Sequence, residues 1–302
     1  MPSQAPDGRA GIDAALVTRL LTAQFPQWSR LPVVPVAVDG WDNRTYRLGD
    51  AMTVRLPTAA GYAAAVDKEC DWLPRLAPSL PVAVPAVLAK GAPGEGYPYS
   101  WSVRRWLPGE TASPERVGDM DEFAVEVAEF VVALQRCDTA GAPAAGAHSF
   151  YRGASPAHYD DETRRCLAAL AGRVDTARAG EVWEAALAAE WHGEPVWFHG
   201  DIGANNLLVD DGRLSAVIDF GTSGTGDPAC DLAIAWNMFR GGSRGAFRRT
   251  VAQDDATWAR ARGWALWKSA LTVTECSDPR DERVDGHLQV IDAVLEDHRR
   301  RG

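Results

Sequence analysis

Lysine is scarce in this sequence, because only three of its 31 basic residues are lysines: Lys68, Lys90 and Lys268. Acidic residues outnumber the basic ones at 41 to 31, which gives a formal net charge of −10. A nucleic-acid binder needs a basic surface, so we expect no nucleic-acid partner. The excess of acid either serves solubility alone or favours a cationic partner.

Long apolar runs and paired cysteines are missing as well. No run of about 18 uncharged apolar residues occurs, so we expect no membrane span. The N-terminal stretch Met1–Gly8 is polar and lacks the basic and apolar regions of a secretory signal, so we expect a cytoplasmic protein. The five cysteines are scattered, odd in number and without a C-x-x-C pair. Buried free thiols are therefore expected rather than a disulfide framework or a metal cluster.

What the sequence does contain is enough apolar material for two lobes, with 46% hydrophobic residues in a chain of 302. The first 107 residues predict a leading helix, about five strands and one inserted helix. Apolar alternation and turn residues place the strands, and helical periodicity places the helices. The predicted helices are 11–24 and 62–76, and the predicted strand segments are 33–38, 44–48, 52–56, 82–88 and 99–107.

From residue 108 to residue 302 the pattern becomes mostly helical, with one hairpin. The segment 121–135 is strongly amphipathic, with Phe123, Val127, Phe130 and Leu134 on one face. We therefore place the domain boundary between residues 107 and 108. The other predicted helices of this second lobe are 158–171, 179–191, 232–239, 254–273 and 286–300.

The predicted hairpin lies at residues 207–218, with Asp211-Gly212 as a two-residue turn. This turn sets residue 206 opposite residue 217, so Asn206 and Asp219 leave the open end of the hairpin within about 8 Å of each other. Asp201 lies in the loop that leads into the same end. Two carboxylates and an amide oxygen are hard oxygen ligands, so the pattern predicts a Mg²⁺ site with room for phosphates and water.

The motifs around this hairpin resemble the signature of the aminoglycoside phosphotransferase family, in this order and within about 35 residues: His199-Gly200-Asp201, Asn206, Ile218-Asp219-Phe220-Gly221 and Gly226-Asp227-Pro228-Ala229-Cys230-Asp231-Leu232-Ala233. The resemblance covers roughly residues 30–240. It implies an α+β, two-lobed protein-kinase-like fold, with a small mostly-β N-terminal lobe for the nucleotide and a larger mostly-α C-terminal lobe for catalysis and the acceptor. It also implies ATP and Mg²⁺ as cofactors.

The resemblance implies a role for each residue of these motifs. Asp201 would orient the acceptor hydroxyl and take its proton. Asn206 and Asp219 would bind the magnesium, and family spacing favours Asn206 over the neighbouring Asn205. The family makes His199 a brace of the catalytic loop rather than a base. The family also has a buried aspartate that accepts hydrogen bonds from the backbone of the catalytic loop. The resemblance gives this role to Asp231.

In the small lobe the sequence departs from the family at two places. The loop 40–45 has a single glycine, so Asn43 and backbone amides are the phosphate contacts it offers. An ordinary entry into the hairpin is the alternative interpretation of this loop. Arg55 stands where the family usually has a lysine that pairs the phosphates, and this swap is not conservative. Glu69 on the following helix is the natural ion-pair partner of Arg55. The adenine hinge is expected at the backbone of Arg105, Trp106 and Leu107.

The acceptor is the least determined part of this interpretation. The family implies a hydroxylated small molecule, first an aminoglycoside or similar cationic antibiotic, and therefore a resistance enzyme. Macrolides, choline, homoserine and sugar-amine adducts are alternatives, and a nucleotide-binding pseudokinase is another class. Five acids of the large lobe, each more readily explained as a solvated surface charge, are candidates to line a polyamine cleft: Asp160, Asp161, Glu162, Glu275 and Asp278.

Overall fold

The computed structural model describes residues 9, 11–37, 39–40, 42–278 and 280–300. Their contacts divide the chain into two compact units. The first unit comprises the described residues up to Gly109 together with Ala216–Gly221, and the second comprises Glu110–Ser215 with the described residues from Thr222 onward. The lobe boundary after residue 107 remains a prediction. No helix among the described residues is both long and apolar enough to cross a membrane.

A five-stranded sheet forms the centre of the first unit, and it confirms the number of strands and the inserted helix. The strands are β1 (Val33–Pro35), β2 (Asn43–Leu48), β3 (Met52–Pro57), β4 (Val87–Gly91) and β5 (Trp101–Arg105). Their spatial order is β1-β2-β3-β5-β4, with antiparallel pairs throughout. The predicted strand 33–38 is shorter than expected, ending at Pro35, and Val38 lies outside the described residues.

Two helices flank this sheet, α1 (Ala14–Gln24) and α2 (Ala60–Leu76). Asp13 caps α1 by accepting a hydrogen bond from the Leu16 amide at 2.7 Å. The apolar stripe of α1 packs with the inner face of the sheet, where the alternation along β3 places Val54 and Leu56. Arg55 therefore points to the opposite face, as the period of two predicts.

The second unit is mostly helical. Its α-helices are α3 (Met120–Gln135), α4 (Asp160–Ala169), α5 (Thr176–Ala188), α6 (Ile234–Asn237), α7 (Gly241–Val251), α8 (Asp255–Glu275) and α9 (Glu282–Arg299). Helices α4, α5 and α9 pack against α8. Fourteen of the 21 residues of α8 are buried, so this helix is covered on nearly every side. Trp236, Trp264 and Trp267 are all buried.

Two local predictions in this unit were wrong. The helix expected over 232–239 is a 3₁₀ segment, Pro228–Ala233, followed by the short α6. Helix α7 was not predicted at all, because its first two residues are glycines, which disfavour helices. A side chain at Gly242 would lie 2.7 Å from the Asp121 carboxylate, so glycine there lets α7 approach α3 closely.

The hairpin predicted from Asp211-Gly212 is present. Strands β8 (Leu207–Asp210) and β9 (Arg213–Val217) are joined by those two residues, which have φ values of 49° and 77°. Positive φ at both positions is the signature of the tight turn that fits strand twist. The other strands of the second unit are β6 (Glu110–Thr111), which pairs with β8, and β7 (Val196–Phe198), which pairs with β10 (Gly224–Gly226).

Candidate active site

The loop that follows β7 is fixed by a buried carboxylate. Asp231 accepts hydrogen bonds from the backbone amides of His199 and Gly200, each at 2.7 Å. Burial raises the pKa of Asp231, and the two amide donors with the nearby His199 oppose that rise. Gly200 has φ 86°, and a side chain there would lie 2.9 Å from the Thr222 carbonyl oxygen. The loop is therefore built for close backbone packing around Asp231.

His199 lies inside this loop with no exposed surface. Its Nδ1 accepts a hydrogen bond from the Asp201 amide at 3.2 Å, and its carbonyl oxygen accepts one from Thr222 Oγ1 at 2.9 Å. A fully buried ring cannot reach a substrate hydroxyl. The geometry therefore supports a bracing role for His199, and that role remains a prediction.

Asp201 is held at both carboxylate oxygens. Oδ1 forms an ion pair with Lys268 of α8, and Oδ2 accepts a hydrogen bond from the Asn206 side-chain amide at 3.0 Å. Burial tends to raise the pKa of Asp201, but the charge and hydrogen bond of Lys268 outweigh it and the pKa is lowered. A third of the side chain remains exposed, at 33%. The structure thus presents an ionised, positioned carboxylate that a ligand can reach.

Asn206 is almost fully buried, at 4% exposure. Its Nδ2 donates to the Asp201 carbonyl oxygen at 2.8 Å as well as to the Asp201 carboxylate. Its Oδ1 accepts one hydrogen bond, from Asn205 at 3.2 Å. With the amide nitrogen committed to Asp201, the amide oxygen is the atom of Asn206 that suits a cation.

Asp219 belongs to the first unit and follows β9 in a left-handed conformation, with φ 67°. Its carboxylate is 38% exposed and accepts a hydrogen bond from Arg55 at 3.0 Å. A non-glycine residue at positive φ is uncommon and marks a backbone held by its surroundings. Asp219 therefore offers an accessible, oriented carboxylate oxygen.

The side-chain oxygens of Asn206 and Asp219 are of the chemical kind that binds magnesium. An amide oxygen and a carboxylate oxygen are hard ligands, and Mg²⁺ is usually bound by one or two carboxylates together with substrate phosphates and water. No group of three or more His, Cys, Asp or Glu side chains arranged for a metal occurs among the described residues. The joint ligation of one ion by Asn206 and Asp219 remains a prediction.

Glu69 of α2 has a partner that sequence reasoning missed. Arg104 of β5 donates to both Glu69 oxygens, at 3.0 and 2.7 Å, and each side chain of the pair is 3% exposed. Arg55, the predicted partner, is 3.8 Å from Glu69 and binds Asp219 more closely. Burial raises the pKa of Glu69, but Arg104 and then Arg55 outweigh it and lower the pKa to about 2. The carboxylate of Glu69 is thus shared by two guanidinium groups.

Two cations of the first unit lie against the segment 219–221. Arg55 contacts Asp219, and Lys68 of α2 donates to the Gly221 carbonyl oxygen at 2.8 Å. Burial lowers the pKa of Lys68 to about 8, although the charge of Glu69 opposes this. Burial also acts to lower the pKa of Arg55, but Asp219 and Glu69 outweigh it and raise the pKa. The first unit therefore concentrates positive charge beside Asp219.

The remaining nucleotide-site predictions fall at the ends of two inner strands of the sheet, β2 and β5. Asn43 begins β2 opposite Pro57, and Trp41 of the predicted phosphate loop lies outside the described residues. The Arg105 and Trp106 amides donate to the Ala86 and Ala51 carbonyl oxygens, at 2.9 and 2.8 Å. These two amides are committed to the first unit's own backbone, and the hinge role of residues 105–107 remains a prediction.

Two of the five acids proposed for an acceptor cleft are engaged by neighbours. Asp160 accepts hydrogen bonds from Arg164 and Trp183, and Glu162 accepts one from Trp267 at 2.7 Å. These hydrogen bonds account for the positions of Asp160 and Glu162 without any contact to a substrate. The cationic acceptor inferred from them remains a prediction.

Sequence reasoning also missed the two cations nearest Asp201, Lys268 and Arg152. Lys268 is the only lysine of the second half of the chain, and this scarcity was the one available signal. It lies 67 residues from Asp201 in sequence, on a helix whose other residues are mostly buried. Arg152 precedes Gly153 in an irregular loop, and its Cβ would lie 3.2 Å from a side chain at Gly200. No periodicity links either residue to the motif.

Comparison with known families identifies the class of protein, a phosphotransferase. The model of the phosphotransferase enzyme family matches residues 33–264, and the chain belongs to that family. An aminoglycoside 3'-phosphotransferase of Escherichia coli is 38% identical over 80 residues, which is 25% of this chain. The match spans 28% of that relative.

Solved structures share the fold over nearly the whole chain. The GDP complex of aminoglycoside 2'-phosphotransferase-IIIa superposes with a TM-score of 0.68 at 16% identity, covering 95% of this chain and 99% of that one. A macrolide 2'-phosphotransferase from Brachybacterium faecium gives 0.57 at 23% identity, covering 94% and 97%. These likenesses confirm the predicted α+β fold of the aminoglycoside phosphotransferases.

Proposed function

We propose that this protein is a small-molecule kinase that transfers the γ-phosphate of a nucleoside triphosphate, ATP first, to a hydroxyl group. The observation that carries the proposal is Asp201: an ionised, accessible carboxylate fixed by Asn206 and Lys268 in a loop that Asp231 holds. Phosphoryl transfer needs chiefly positioning and charge stabilisation, and this is what such an arrangement supplies.

The proposed reaction is an in-line displacement. The acceptor hydroxyl hydrogen-bonds to the Asp201 carboxylate, which orients the oxygen and takes its proton as the new phosphorus–oxygen bond forms. The bond from the γ-phosphorus to the bridging oxygen breaks, and the nucleoside diphosphate leaves. Arg55 and Lys68 would stabilise the phosphate charge. Asn206 and Asp219 would hold Mg²⁺, which neutralises charge on the phosphate oxygens when it is bound.

The acceptor proposed from the relatives is an aminoglycoside-like compound, since the names of the relative and of several neighbours specify aminoglycosides. A second candidate, a hydroxylated acceptor without dense positive charge, is favoured by the two cations near Asp201. A catalytically inactive nucleotide binder is the third. The position of the Asp201 carboxylate argues against the third candidate.

The test is label transfer from γ-labelled ATP or GTP, with Mg²⁺, to pools of hydroxylated small molecules. We expect a labelled product with the wild-type protein and none with Asp201→Ala. Asp210→Ala is the matched control, because Asp210 is exposed at the end of β8 and has no proposed role. Nucleotide binding without transfer to any pool would overturn the kinase proposal and favour the inactive binder.

A further inference from the structure

The charge around Asp201 bears on the acceptor. Among the described residues, Asp201 is the one carboxylate that forms an ion pair with Lys268. The Lys268 side chain is 42% exposed, so its ammonium group has donors left for a ligand. An acceptor hydroxyl bound to Asp201 must lie close to this ammonium group, because both contact the same carboxylate.

Arg152 is the second cation at this place. Its guanidinium lies over the Trp267 ring at 4.4 Å from the centroid and over Trp264 at 5.6 Å. It donates to the Phe150 carbonyl oxygen at 3.3 Å, and no carboxylate of the described residues lies within ion-pair distance of it. Stacking on aromatic faces fixes a guanidinium while leaving its edge donors to bind an anion.

One further acid lies near the two cations. Glu162 of α4 accepts the Trp267 indole hydrogen bond at 2.7 Å and keeps its negative charge. His287 of α9 lies 3.2 Å from the Ser269 hydroxyl, and burial followed by the charges of Lys268 and Arg283 lowers its pKa, so the ring adds no positive charge at neutral pH. Among the described residues no ion pair joins Glu162 to Lys268 or Arg152, so both cations keep donors for a ligand.

We propose that the acceptor is a hydroxylated acid, whose carboxylate or phosphate group binds Lys268 and Arg152 while its hydroxyl binds Asp201. This inference rests on the proposed kinase function and narrows its acceptor. When the hydroxyl contacts Asp201, an adjacent anion offers Lys268 a second partner. A polyamine in the same place would bring its ammonium groups against Lys268 and Arg152, and like charges in close contact disfavour binding.

The experiment measures label transfer to four separate pools: hydroxycarboxylic acids, sugar phosphates, neutral polyols and aminoglycosides. We expect one of the two acidic pools to be preferred, and which one it is tells carboxylate from phosphate. With the best acid, Lys268→Met is expected to lower kcat/KM by about 10- to 100-fold, mainly through KM, as for loss of a charged hydrogen bond. Lys268→Gln is the second variant, and melting temperature and nucleotide affinity check that both variants fold.

Lys90→Met is the matched control, since Lys90 pairs with Asp67 on the surface of the first unit and should leave transfer unchanged. Asp201-dependent transfer that prefers aminoglycosides or neutral polyols would overturn this inference and leave the kinase proposal standing. A loss in kcat with KM unchanged would also overturn it, because Lys268 would then act only through Asp201. Absence of transfer to every pool would contradict the kinase proposal, and this inference with it.

Discussion

Glu69 in the first unit and Asp201 in the second are both carboxylates with cationic partners, yet their surroundings differ. Glu69 is 3% exposed and bound at both oxygens by Arg104, whereas Asp201 is a third exposed and bound by one lysine and one amide. A buried pair with every oxygen satisfied has no capacity left for a ligand. An accessible carboxylate held by neighbours is suited to chemistry. The contrast fits a structural role for Glu69 and supports the proposed role of Asp201 in the reaction.

The largest expected effect is on catalysis at Asp201. Asp201→Ala should lower the rate of phosphoryl transfer by about 10²- to 10⁴-fold, the contribution typical of a positioned general base. Nucleotide affinity should change little, because the nucleotide contacts we propose are Arg55, Lys68 and the metal ligands. Single-turnover transfer and nucleotide titration on the same preparation measure both quantities. If Asp201→Ala lost nucleotide affinity as much as it lost transfer rate, the proposed difference in role between Asp201 and Glu69 would be contradicted.

Breaking the buried pair of the first unit should cost stability. Glu69→Gln or Arg104→Met leaves a buried charge without its partner, which typically costs about 3–5 kcal/mol of unfolding free energy. Urea unfolding of each single variant measures this cost. The control is Lys90→Met, which breaks an exposed pair with Asp67 and should cost about 1 kcal/mol or less. Similar costs at both places would contradict the structural role of Glu69.

Lowering the pH should reveal how much the Glu69–Arg104 pair contributes to stability. The pKa of Glu69 is lowered from 4.5 to about 2, so the folded state stays ionised where the unfolded state takes up a proton. The stabilisation from this group is therefore complete above about pH 4.5 and is lost as the pH falls towards 2. Unfolding free energies of the wild type and of Glu69→Gln at pH 5 and pH 3 measure it. The variant should show the shallower decline, and an equal decline would contradict the assigned shift.

Arg55 should show a smaller effect, on nucleotide affinity. Arg55→Ala removes a guanidinium that contacts Asp219 and lies 3.8 Å from Glu69, and we expect affinity for the nucleotide to fall about 10-fold. Arg75→Ala is the control, because Arg75 is an exposed arginine in the last turn of α2 with no proposed nucleotide contact. Unchanged affinity in Arg55→Ala would show that arginine does not replace the family's lysine at this position.

The same comparison explains what the sequence could predict. The residues around Asp201 lie in one short stretch, and turn chemistry at Asp211-Gly212 sets the hairpin, so motif and strand pattern were readable together. The number of strands in the first unit followed from apolar alternation, but β4 (Val87–Gly91) lies mostly beyond the predicted segment 82–88. Arg104 could not be found in this way, since its partner Glu69 is 35 residues away on another element. Side-chain pairing across elements depends on packing that a periodic pattern does not encode.

The cations near the proposed acceptor position could not be predicted from the sequence for the same reason. Lys268 contacts Asp201 from a helix 67 residues further along the chain. Arg152 lies in an irregular loop, beside Gly200, the residue before Asp201. The net charge of −10 favoured a cationic partner, but the total charge does not determine the charge beside one carboxylate. Local geometry therefore led to a different acceptor class from the one the composition favoured.

The most direct test of the account measures nucleotide affinity and single-turnover phosphoryl transfer in wild type, Asp201→Ala and Arg55→Ala, with the best acceptor from the pools. We predict that Asp201→Ala binds the nucleotide as the wild type does but transfers no measurable phosphate above about one hundredth of the wild-type rate. Arg55→Ala should lose nucleotide affinity first. Phosphoryl transfer by Asp201→Ala at the wild-type rate would contradict the assignment of Asp201 as the base.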